Sequence, residues 1–136
     1  MIRIILGVVA GFIAWSILWV GSDQVLMSMW PDWYGAHQEA FGLAMENKGS
    51  FTADTTILIM HIVRAAIVSV MSGFIAAIVA GENRKAPLAL AIVLLIVGVI
   101  VEGFAWSYAP IWYHLLFLIV LVPMTILGGK MKQTAS

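Results

Sequence analysis

The chain contains no cysteine, which excludes a disulfide framework, a thiolate zinc site, an iron–sulfur cluster and thiol redox chemistry. Charge is equally scarce. Asp, Glu, Lys and Arg make up 10% of the residues, where a soluble domain has about 25%. Seven basic residues cancel seven acidic ones, and no basic stripe is left to attract a nucleic acid. The enzyme signatures Gly-x-Ser-x-Gly, His-Glu-x-x-His and a phosphate-binding glycine loop are also missing. No catalytic residue is assigned, and the chain reads as a non-enzyme.

What fills the sequence instead is apolar surface. Of 136 residues, 62% are hydrophobic, and the mean hydropathy is +1.03. Soluble domains hold about 45–50% apolar residues. The composition therefore predicts one all-α transmembrane domain over residues 1–136, and the partner it requires is the lipid bilayer. A bilayer core takes about 20 apolar residues per helix, and four runs have that length: about 4–27, 55–80, 87–107 and 111–127. Asp54 is the expected N-cap of the second run, Gly81 its C-cap, and Pro87 suits the first turn of the third. Gly128-Gly129 is expected to stop the fourth. The first run is longer than a signal-peptide core and no small-x-small cleavage site follows it, so it is kept as a helix. The expected fold is an integral membrane four-helix bundle.

Arg3, Arg84, Lys85, Lys130 and Lys132 fall at one end of this layout and only Lys48 at the other. The positive-inside rule then places both termini in the cytoplasm and the loop 28–54 outside, for a multi-pass protein of the cytoplasmic membrane. That outer loop carries Asp32, Glu39, Glu46 and Asp54. It is expected to hold a short amphipathic helix from about Trp33 to Glu46, lying on the membrane or lidding the bundle. His37 in this loop is expected to be exposed.

Small residues let helices approach closely in lipid. At about 100° per residue, Gly7, Gly11, Ala14 and Gly21 share one side of the first run. Ala65, Ser69, Gly73, Ala77 and Gly81 form a stripe on the second. These faces are the expected seams, within one bundle or between copies. Pro123 frees the carbonyl of Ile119, with Thr125 close enough to solvate the kink.

A charge in mid-membrane costs about 2.5–3.5 kcal/mol on insertion scales. Arg64 lies nine positions into the second run, roughly 13 Å deep at about 1.5 Å per residue. Glu102 lies near the outer end of the third. His61 is three residues from Arg64, and His114 opens the fourth run. Arg64 and Glu102 are expected to form an ion pair, with both histidines in the same layer. The leading expectation is an accessory or structural subunit, or a small oligomeric membrane component, without cofactor. One alternative is a small transporter or ligand-binding membrane protein using Arg64 and Glu102. Another is a redox protein with haem or metal at His61 and His114, or a metal at these two and Glu102.

Overall fold

The computed structural model describes residues 2–47, 49 and 51–132. Lys48 and, of the tail after Lys130 that is expected to fray, residues 133–136 lie outside these residues. Five α-helices follow in order: α1 (Ile2–Met29), α2 (Ala36–Asn47), α3 (Thr55–Ala80), α4 (Lys85–Phe104) and α5 (Ile111–Lys130). A π-helical turn, Pro31–Gly35, joins α1 to α2, and a 3₁₀ turn, Trp106–Tyr108, precedes α5. Helices α1, α3, α4 and α5 are each long and apolar enough to cross a membrane. The protein is an integral membrane four-helix bundle with a short helix in its long connection.

Local chemistry sets the boundaries. Asp54, in extended conformation, accepts the backbone N–H of Ile57 at 3.1 Å and opens α3, so one of four orphan donors is satisfied. Gly81 closes α3 at φ 72°, the left-handed cap that a side chain would strain. Helix α4 is capped from outside. The Glu82 carboxylate accepts the N–H groups of Arg84, Lys85 and Ala86 at 3.1, 2.8 and 2.6 Å.

Partial burial disfavours the charged form of Glu82, but these three donors and the nearby Lys85 ammonium outweigh it and hold the carboxyl below its usual range. A depressed pKa stabilises the fold fully above the unfolded value of about 4.3 and loses that effect as pH falls through the folded value. Thermal melts in detergent between about pH 6 and about pH 3 should therefore drop further for the natural chain than for Glu82→Gln. Parallel drops would deny the cap its pH dependence.

Helix α3 is the hub, packed between α1 and α5 and touching α4, while α4 also packs on α5 and α1. Helix α1 meets α3 mainly along the row beside that stripe: a Cβ on Gly7 would stand 2.6 Å from the carbonyl oxygen of Ala76, and one on Gly11 3.1 Å from that of Ser72, whereas the stripe residue Gly73 faces α5. Gly21, read as part of the same seam, has no such neighbour within 4 Å. The tightest approach is between α3 and α5. A Cβ on Gly73 would collide with the carbonyl of Thr125, and one on Gly128 with the carbonyl of Val70. Gly128 and Gly129 are thus contact residues inside α5, which runs on to Lys130 rather than stopping at them. Helix α5 also continues through Pro123, and the Thr125 hydroxyl donates to the carbonyl of Leu121 at 2.7 Å, not to that of Ile119.

The basic residues Arg3, Arg84, Lys85, Lys130 and Lys132 gather at the Gly81 end. There Arg3 donates to the carbonyl of Val79 and the Asn83 amide donates to that of Lys132. The π turn and α2 occupy the opposite end.

Candidate functional site

The polar side chains of the bundle assemble at the α2 end into two networks, and Arg64 and Glu102 belong to different ones. The expected direct pair is not formed. Arg64 turns toward α1, where Nε donates to Ser22 Oγ at 3.1 Å and Nη2 to the carbonyl of Trp19 at 2.7 Å. Nη1 donates to Tyr34 Oη at 2.7 Å and to His61 Nδ1 at 2.9 Å. The charge is balanced by Asp23 at 3.8 Å, and the guanidinium carbon lies 4.1 Å from the centroid of the Trp19 ring. Tyr34 donates in turn to Asp23 Oδ1 at 2.5 Å. Burial, followed by the Asp23 carboxylate, pushes the Tyr34 phenol well above its ordinary value, so it stays a neutral donor. The π turn places Tyr34: its N–H bond from Gly35 back to the carbonyl of Trp30 swings this side chain under the loop, where it is wholly buried.

Glu102 pairs instead with His114, which lies twelve residues later, across the α4–α5 connection. Glu102 Oε2 bonds His114 Nδ1, and His114 Nε2 bonds the carbonyl of Trp106 at 3.0 Å. A carbonyl only accepts, so Nε2 carries a proton, and one further proton is held between Nδ1 and Oε2. The Trp106 ring stacks on the imidazole at 4.7 Å. With both ring nitrogens engaged, His114 has none left for haem or metal. Among the described residues no group of three or more His, Cys, Asp or Glu side chains could hold a metal ion.

Between the two networks lies a cavity of about 310 Å³. Trp15 and Trp19, stacked 5.3 Å apart, wall it on α1, while Tyr113 and Phe117 wall it on α5. Trp15 is fixed by a bond from its indole N–H to Ser69 Oγ at 3.1 Å. The roof is an aromatic chain running from His37 through Phe51 and Phe41 to Tyr108, at centroid spacings of 5.0, 5.4 and 5.9 Å. His37 is therefore part of the site and not simply exposed: its Nε2 accepts the N–H of Asp54 at 3.1 Å. Near the Gly81 end α1 and α4 are in contact through Val8, Phe12 and Trp15 against Leu90 and Leu94. Closer to α2, Val97 and Val101 line the cavity while remaining 37% and 53% exposed. Part of the α4 wall of the cavity thus stands at the surface of the bundle.

No known protein family, curated protein or solved structure matches this chain. The site must be read from its own chemistry. His61 is 7% exposed and Glu102 5% exposed. Arg64 can only donate, so His61 Nδ1 accepts and the ring proton sits on Nε2. That Nε2–H, Glu102 Oε1 and the Tyr113 hydroxyl have no hydrogen-bond partner among the described residues, and all three side chains line the cavity. Among the described residues only Ser72 Oγ is fully enclosed without a partner. The other three atoms are therefore not fully enclosed, and their side chains line the cavity.

Of the four residues singled out in the sequence, His61, Glu102 and His114 meet at this cavity. Arg64 stands behind His61 and orients it. Sequence reasoning missed Asp23, Tyr34, Trp15 and Trp19. Asp23 is the acidic residue of the α1 segment and lies one residue after Ser22, which was the available signal for a partner to Arg64. Nothing in the pattern of aromatics distinguished the two cavity tryptophans from those of the interface.

Proposed function

We propose that this small membrane protein is a non-enzymatic binding protein for a neutral amphiphile, which enters sideways from the bilayer and lodges under α2. The observation that carries this reading is the aromatic-walled cavity with three partnerless polar atoms at its wall, the usual anatomy of a small-molecule site. A mostly apolar lining with a few convergent polar groups favours a ligand already dissolved in lipid. Both charged networks are internally balanced, Arg64 by Asp23 and Glu102 by His114, which favours a ligand without net charge.

The basic cluster at the Gly81 end supports cytoplasmic termini, so the cavity would open into the outer leaflet of the cytoplasmic membrane. Native mass spectrometry from mild detergent is expected to show a one-to-one small-molecule adduct on the natural chain. Val97→Phe and Ala105→Phe, which put bulk at two positions lining the cavity, should remove it while melting like the natural chain. An adduct retained in both variants, or none on the natural chain, would overturn the proposal.

A further inference from the structure

The polar atoms that face the cavity also define which ligand it selects. Glu102 has two oxygens with fixed and different roles. The proton of the Glu102–His114 pair lies on the Oε2 side, between that oxygen and Nδ1. If the proton resides on His114, Oε1 belongs to a carboxylate. If it resides on Glu102, Oε1 is the carbonyl oxygen of the acid. In both states Oε1 accepts and never donates. His61 is fixed in the opposite sense, because Arg64 occupies Nδ1 and leaves Nε2–H as a donor. The Tyr113 ring stands between the two histidines, 6.3 Å from that of His61 and 5.6 Å from that of His114, and its hydroxyl serves either role.

A simple acyl chain leaves Oε1 and Nε2–H unpaired at membrane depth, where an unsatisfied buried polar group is costly. A ketone or ether satisfies His61 and leaves Glu102 unpaired. A hydroxyl on a flat ring meets both needs, donating to Glu102 Oε1 and accepting from His61 Nε2, while the ring packs against Trp15, Trp19 and Phe117. Resting on the binding reading above, we infer that the ligand is a hydroxylated aromatic ring bearing an apolar tail, the chemistry of an alkylphenol or a hydroquinone, and that Glu102 selects it by requiring a donor. Helix α4 sets this requirement through its last turn, which brings Glu102 against α5. The 3₁₀ turn reinforces it, because the Trp106 carbonyl keeps the second proton of the pair on Nε2.

The test compares three probes of nearly equal shape by native mass spectrometric titration: 4-decylphenol, which donates and accepts; 4-decylanisole, which only accepts; and decylbenzene, which does neither. The natural chain should bind the phenol at least about tenfold more tightly than the anisole. His61→Phe should weaken phenol and anisole alike and leave their ratio nearly unchanged. Glu102→Gln should keep the preference, because a glutamine amide donates to Nδ1 and still turns its oxygen to the cavity. Glu102→Leu should abolish it. If Glu102→Leu fails to fold, the natural chain and Glu102→Gln still decide. Binding of all three probes alike, lost in Ala105→Phe, overturns the hydroxyl requirement and leaves the cavity as a binding site. Probe binding that Ala105→Phe does not change overturns both.

Discussion

Gly73→Leu is expected to abolish recovery of the folded bundle. The space a Cβ needs at this position is held by the carbonyl of Thr125, and the reciprocal space at Gly128 by the carbonyl of Val70. Both obstacles are backbone and cannot rotate aside, so α3 and α5 must separate along the seam that builds the core. Overpacking costs about 1–3 kcal/mol where side chains can adjust, and here the loss should exceed about 3 kcal/mol. Gly128→Leu should behave in the same way. Gly21→Leu and Gly103→Leu meet nothing within 4 Å and should be neutral or slightly favourable, since leucine is the better helix former. The measurement is the yield of monodisperse protein on gel filtration in detergent, with thermal melts. Equal behaviour of Gly73→Leu and Gly21→Leu would show that the two backbones do not meet.

Arg64→Leu should cost about 3–5 kcal/mol, the usual consequence of removing one partner from a buried pair. It strands the Asp23 carboxylate, whose side chain is 20% exposed, and removes donors from Ser22, Trp19, Tyr34 and His61. Adding Asp23→Leu to Arg64→Leu should restore part of this loss, because no unpaired charge then remains. Arg64→Leu combined with Glu102→Leu should give the sum of the single effects within about 0.5 kcal/mol, as expected for separate networks. Unfolding in detergent followed through both cycles distinguishes the partnerships. Coupling between Arg64 and Glu102, or strict additivity between Arg64 and Asp23, would reverse the assignment given by the contacts.

The membrane-spanning helices were legible because hydrophobic length is read one residue at a time. The N-cap at Asp54 and the left-handed Gly81 were legible because each acts within its own turn. Partner choice was not, because it depends on rotation of whole helices. Arg64 and Glu102 were the obvious charges at similar depth, yet α3 turns Arg64 toward α1, whose end supplies Ser22 and Asp23. Gly128-Gly129 illustrates a second limit. A glycine pair at the end of an apolar run signals a helix stop in isolation, and only the opposing α3 backbone shows it to be a close-packing site. A polar pocket in this layer under the loop helix was legible from His61, Glu102 and His114, but its walls of Trp15 and Trp19 were not, because no residue type marks where two helices leave a gap.

The order of residues along the chain also has a consequence for membrane insertion. Every partner of Arg64 lies upstream, and all but His61 lie in α1 or the π turn. During synthesis the acceptors are already in place when the α3 cation arrives, so its transfer into lipid, about 2.5–3.5 kcal/mol when unaided, is met by waiting ligands. Glu102 faces the reverse situation, since His114 emerges twelve residues later. The segment between them is a tight connection, so α4 and α5 are suited to enter as one hairpin that carries its acid and its imidazole together.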